Sequence, residues 1–264
     1  MDSPQAIPIC SPDADNVFGP IVADVCRQGF DFTLLFEQSV LSMVPSVLLI
    51  LITPIRLYQL YQTSVKTRSN SMHGAKAVAA VVYAALHLIL LVLWSINDRF
   101  RTRVSVPSAV LSFIDALAIF QVSYVEHTRS VRPSALLNLY LLFSLMFDAA
   151  QARTLYLRKD DSVIAAVFTI GLGIKLTLLI LEAQGKRPFL KDPYRDYPPE
   201  ATSSIFSQSL LWWLNSLFFG GFRKLLSADD LYMVDNELSS ERLRNNIQKS
   251  WNKRCRLRRL KARV

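Results

Sequence analysis

Six polar side chains, Glu37, His87, Asp115, Asn138, Asp148 and Lys175, interrupt long apolar runs. At membrane depth each costs a few kcal/mol unless it faces protein, a partner or water. Lys175 has two acidic candidates for a partner, Asp115 and Asp148, and such an ion pair would fix how helices pack. The same three residues could instead relay a transported ion. No repeated half-and-half arrangement of broken helices accompanies them, as an ion-coupled carrier would suggest, so packing is the expected role. Glu37 lies within two turns of the start of its apolar run and is expected to extend toward the interface.

Other chemistries leave little trace. A P-loop needs GxxxxGK followed by Ser or Thr, so that backbone amides and the lysine cradle phosphates. The eight glycines are Gly19, Gly29, Gly74, Gly171, Gly173, Gly185, Gly220 and Gly221, and none begins such a motif. His73, His87 and His127 are scattered over a loop, an apolar run and the end of another. No Ser-His-Asp arrangement, paired-carboxylate cleft or metal cluster is expected, so no catalytic, cofactor or metal site is assigned to this chain. Cys10 and Cys26 share one short segment, and in an oxidising compartment they could form a disulfide or remain free thiols. Cys255 lies apart, in a basic tail.

The elements that carry these residues follow from hydropathy. Of 264 residues, 51% are hydrophobic, and five stretches approach the roughly 20 apolar residues that cross a bilayer. They fall at about 32–52, 76–96, 104–125, 133–152 and 162–182. The second, AVAAVVYAALHLILLVLWSI, contains no formal charge. A helix apolar all round belongs in lipid or deep in a large core. The fold class expected is an all-α membrane protein, a five-helix transmembrane bundle over 32–183. Pro45 inside the first stretch predicts a kink, with Pro54 just beyond its end.

Residues 1–31 are acidic, with four prolines, and read as an extracytosolic leader. They have no basic n-region of the kind a cleavable signal carries. The net charge is +9, and residues 239–264 supply all of it, with Arg242, Arg244, Lys249, Lys253, Arg254, Arg256, Arg258, Arg259, Lys261 and Arg263 against Glu241. Beside five spans, such a basic helix is expected on the cytosolic side, drawn to anionic lipid rather than to nucleic acid. The internal connectors alone show no positive-inside bias. The orientation expected is therefore N-terminus outside and C-terminus cytosolic; charge does not choose between a plasma and a vacuolar membrane.

Residues 184–238 form a linker, with four prolines in 184–203. Ser203 or Ser204 could cap a helix at about 205–219, on which Phe206, Leu210, Trp213, Leu214, Leu217 and Phe218 recur at three- and four-residue spacing. That periodicity is the mark of an interfacial amphipathic helix. Gly220-Gly221 is expected to end it, leaving Arg223 and Lys224 at phosphate level.

The run PPEATSSIFSQSLLWWLNSLFFGGFRKLLSADDLYMVD resembles the lasso linker that precedes the first core transmembrane domain in C-subfamily ABC transporters, the multidrug-resistance-protein type. The matching positions are Pro199-Glu200, Phe206-Ser207, Trp213, Gly221-Phe222-Arg223, Leu226 and Asp230-Leu231. Leu225 departs from the pattern, which has proline there, and this loosens the expected turn. The five spans and acidic leader resemble the extra N-terminal transmembrane domain of the longer members, with FTLLFEQSVLSMVPSVLLILITPIRL similar to fungal examples.

The resemblance implies the N-terminal portion of an ATP-driven exporter of organic or conjugated compounds, with roles in membrane anchoring, docking and trafficking. ATP and Mg would belong to the full-length family, whose nucleotide-binding domains and core helices are not expected within these residues. Its partners would be the bilayer and a transporter core, in cis or in trans. The alternative is a self-standing membrane module that regulates or binds a transporter or another membrane partner.

Overall fold

The computed structural model describes residues 12–19, 22, 31–65, 67, 71–97, 101–158, 162–185, 199–227, 232 and 240–261. Among them the chain is helical, with five helices long and apolar enough to cross a membrane. We label these α1 (Leu34–Tyr61), α2 (Ser71–Ile96), α3 (Ser105–Arg129), α4 (Ala135–Arg158) and α5 (Ser162–Ala183). At about 1.5 Å per residue even α5 exceeds the hydrocarbon thickness.

The first span differs from its sequence reading. Pro54 lies inside it rather than beyond it, and α1 continues to Tyr61. A membrane helix tolerates proline when side chains and neighbours supply bonding near the interruption; Thr53 Oγ1 donates to Leu49 O at 2.8 Å beside it. A kink is expected near Pro45; the feature the structure shows there is a π-helical stretch, Glu37–Met43, immediately before it. Thr33 begins the helix, its hydroxyl accepting from Phe36 N.

Packing follows the distribution of small and branched residues. The most extensive pairings are α2 with α3, α4 with α5, α2 with α5 and α1 with α3. Of the five, α3 is the most buried and α1 the least. Ala80 on α2 and Ala116 on α3 are both fully buried within one cluster that also takes in Leu49, Ile119, Leu141 and Leu178. Small residues let helices approach closely where lipid supplies no hydrophobic drive for their association. A second cluster, with Leu34, Leu90, Trp94, Leu155 and Ile164, fills the end of the bundle near the leader.

The leader is more structured than a loop. Pro12–Asn16 forms a 3₁₀ turn, and Asp15 reaches the bundle, accepting from Leu34 N at 3.2 Å and meeting Arg158 Nε at 3.4 Å. Thr33 Oγ1 donates to Gly19 O at 2.7 Å. Beyond the bundle lie α6 (Pro199–Thr202), α7 (Ile205–Ser209), a 3₁₀ turn (Trp212–Leu214), α8 (Asn215–Arg223) and α9 (Ser240–Lys261).

Candidate functional site

Three tiers of polar side chains cross the bundle from the leader end to the linker end. At the leader end, Thr154 Oγ1 stands 2.8 Å from Glu37 Oε1 and 3.0 Å from Asp31 Oδ1. Glu37 thus turns inward, only 1% exposed, instead of extending toward the interface. One residue on, Gln38 Oε1 accepts from Thr102 Oγ1 at 2.7 Å and Ser105 Oγ at 2.8 Å, tying α1 to the start of α3.

The middle tier holds four of the six residues that the sequence singled out, His87, Asp115, Asp148 and Lys175. Lys175 on α5 pairs with Asp148 on α4. Asp115 on α3 does not take that lysine as its salt-bridge partner; instead Tyr140 Oη donates to its Oδ2 at 3.0 Å. Lys175 Nζ also lies 5.8 Å from the Tyr140 ring centroid, and His87 meets Tyr83 edge-on at 4.4 Å. Asp115, Asp148 and Lys175 line one cavity of about 40 Å³ in the bundle interior.

The third tier, at the linker end, was not legible in the sequence beyond Asn138. Lys76 on α2 and Glu182 on α5 form an ion pair at 3.0 Å, and Ser123 on α3 donates to the same carboxylate. Asn138 on α4 donates to Ser134 O at 2.7 Å and to Glu182 O at 3.4 Å, so four helices meet at Glu182. Arg56 of α1 pairs with Glu126 of α3. Arg129 Nη1 donates to Tyr61 O and Thr63 O, holding the turn after α1. The missed signal is opposite charge at the same end of adjacent spans.

The linker grows out of this end. Ser204 caps α7, its hydroxyl accepting from Ser207 N at 3.3 Å, and Phe206 packs against the main core cluster of the bundle. The single helix expected over 205–219 is instead divided. Leu211 adopts a left-handed backbone, φ 52° and ψ 26°, a region that costs a non-glycine residue about 1–2 kcal/mol. Gly220-Gly221 does not end the next helix either, since α8 runs on to Arg223.

The break rearranges the expected apolar face. Trp213 is half-buried and lies 6.1 Å from Tyr232, ring to ring, whereas Leu210, Trp212, Phe218 and Phe219 are exposed. Phe222 is 92% and Leu225 99% exposed. Pro199 and Glu200 begin α6. Leu226 folds back over Gly221, where an added Cβ would meet Leu226 Cδ1 at 3.0 Å. Lys224 is extended, φ −144° and ψ 154°, a conformation that a following proline would also favour. Replacing that proline by Leu225 therefore leaves the local path extended. Asp230, Leu231, Cys10 and Cys26 lie outside the described residues.

Comparison with known proteins places this architecture. Residues 10–169 match the family described as the ABC transporter TMD0 domain. The chain belongs to the TMD0 domain family of ABC transporters. It is 39% identical over 91% of its length to "ABC multidrug transporter lscH" of Purpureocillium lilacinum, covering 16% of that protein. It is 40% identical over 93% of its length to "ABC multidrug transporter B" of Aspergillus fumigatus, covering 17%. To "ABC transporter ecdL" of Aspergillus rugulosus it is 34% identical over 95%, covering 15%. The chain thus spans about one sixth of the length of the curated relatives it matches. As a TMD0 bundle it is an integral membrane unit, fastened at both ends and in the middle by buried charge.

Proposed function

We propose that this TMD0 chain is the anchoring, docking and trafficking portion of an ATP-driven exporter of organic or conjugated compounds. The observation that carries the reading is the linker's divided loyalty: Phe206 is packed on the bundle, while Leu210, Trp212, Phe218, Phe219, Phe222 and Leu225 present apolar surface to the outside. A bundle with so much aromatic surface beside its last span offers a docking face to the inner leaflet and to a transporter core. The curated relatives are named as ABC transporters, two of them as multidrug transporters.

The basic helix α9 supports the cytosolic placement of the C-terminal side. Leu243, Ile247 and Trp251 recur every four residues and are exposed, with Arg242, Arg244 and Lys249 also exposed. A basic helix with an apolar stripe binds anionic lipid by combined burial and charge attraction. ATP and Mg enter the proposal only through the other domains of such an exporter.

An immunoblot of native membranes with an antibody to residues 1–31 tests the reading. A band several times heavier than 29.9 kDa is expected. A band at that mass, with no heavier species, would contradict an in-cis exporter and favour the self-standing module.

A further inference from the structure

The middle tier contains a charge imbalance that the bundle itself does not resolve. Asp115, Asp148 and Lys175 all line the same interior cavity. Lys175 is committed to Asp148, and the other polar residues named in this tier, Tyr83, His87 and Tyr140, add no fixed charge when neutral. Asp115 therefore remains as an excess carboxylate. It is only 2% exposed, and its Oδ1 has no hydrogen-bond partner among the described residues. A carboxylate out of water requires either a counter-charge or a proton.

We infer that Asp115 is the carboxylate of a site for one small monovalent cation of sodium size, built into the bundle cavity. The space of about 40 Å³ admits such an ion with one or two waters. Hard cations take oxygen ligands, and the cavity is lined with them: Ser46 from α1, Ser112 from α3, and Tyr140 and Ser144 from α4 surround the space with Asp115. Tyr140 Oη spends its proton on Asp115 and Ser144 Oγ spends its own on Tyr140 O, so both oxygens retain lone pairs for an ion. One wall is the π-helical stretch 37–43, which contributes Gln38, Leu41 and Ser42; such stretches recur at functional sites. A proton on Asp115 is the competing neutraliser, and the dependence of stability on the cation present separates the two. The site is structural: a bound ion closes the charge balance among α1, α3, α4 and α5. This inference does not depend on the exporter reading.

Thermal unfolding of the purified chain in lipid nanodiscs tests it, with sodium, lithium, potassium or choline chloride at constant ionic strength. Sodium is expected to raise Tm over choline by several degrees at saturation, as ligand linkage requires. Asp115→Asn should lose the sodium increment while matching or exceeding the native chain in choline. Tyr140→Phe should shift the sodium midpoint several-fold to higher concentration, and it serves if the Asp115 variant does not fold. Equal Tm in all four chlorides, or a sodium increment that survives Asp115→Asn, would overturn the inference. Stabilisation at low pH with no cation preference would also overturn it and assign the counter-charge to a proton.

Discussion

Lys76 Nζ lies 3.0 Å from Glu182 Oε2, joining residues 106 positions apart with both side chains almost fully shielded. The pair closes the linker end of the bundle between α2 and α5, and Ser123 joins it from α3. A buried ion pair can be neutral relative to an apolar pair, yet removing one partner strands the other charge.

Lys76→Met should therefore destabilise the bundle by about 3–5 kcal/mol, seen as a fall in Tm in detergent or nanodiscs. Lys76→Met combined with Glu182→Met should recover much of that loss. If the double variant is as unstable as the single one, the pair is not the feature that holds this end.

The two acids of the middle tier should behave differently. Asp148→Asn leaves Lys175 without its salt-bridge carboxylate and should reduce folded yield sharply. Asp115→Asn keeps an oxygen that can accept from Tyr140 and should be well tolerated in sodium-free buffer. Comparable losses for both substitutions would show that Lys175 is shared between them.

Leu211→Gly should relieve the left-handed strain at φ 52°, worth about 1 kcal/mol before the added chain entropy of glycine is subtracted. Limited proteolysis of the linker is the readout, with cleavage near 210–212 expected to slow or stay level. Faster cleavage would mean that the exposed Leu211 side chain outweighs its backbone cost.

Leu225→Pro should be tolerated, because Lys224 already has the extended conformation that a following proline favours. Proline at a compatible position stabilises by about 0.4–1 kcal/mol through the unfolded chain. Protease resistance of the linker should rise; loss of that resistance would show that the Leu225 amide or side chain is needed.

The five spans were legible because an apolar run of twenty residues has few alternatives to a membrane helix, and Lys175 was legible as half of an ion pair because it stands alone in apolar surroundings, though the choice of Asp148 over Asp115 came only from the structure. Lys76 and Glu182 were not, since charges at span ends read equally well as interfacial anchors. Pro54 was read as a boundary by a rule that holds in water but is relaxed in lipid. The division of the linker helix at Leu211 had no local signal, because leucine favours helix. That break alters which aromatic residues are exposed, so periodicity could find the aromatic segment but not its outward face.

The exposed aromatic face of the linker is proposed to dock the TMD0 bundle onto an exporter core. The most direct measurement is co-purification of residues 1–264 with a tagged exporter that lacks them, both expressed in the same membranes. Co-purification is predicted for the native chain and its loss for Phe218→Asp combined with Phe222→Asp, with the bundle's Tm unchanged in the variant. A native chain that never co-purifies, or a double variant that binds as well as the native chain, would rule out docking through this face.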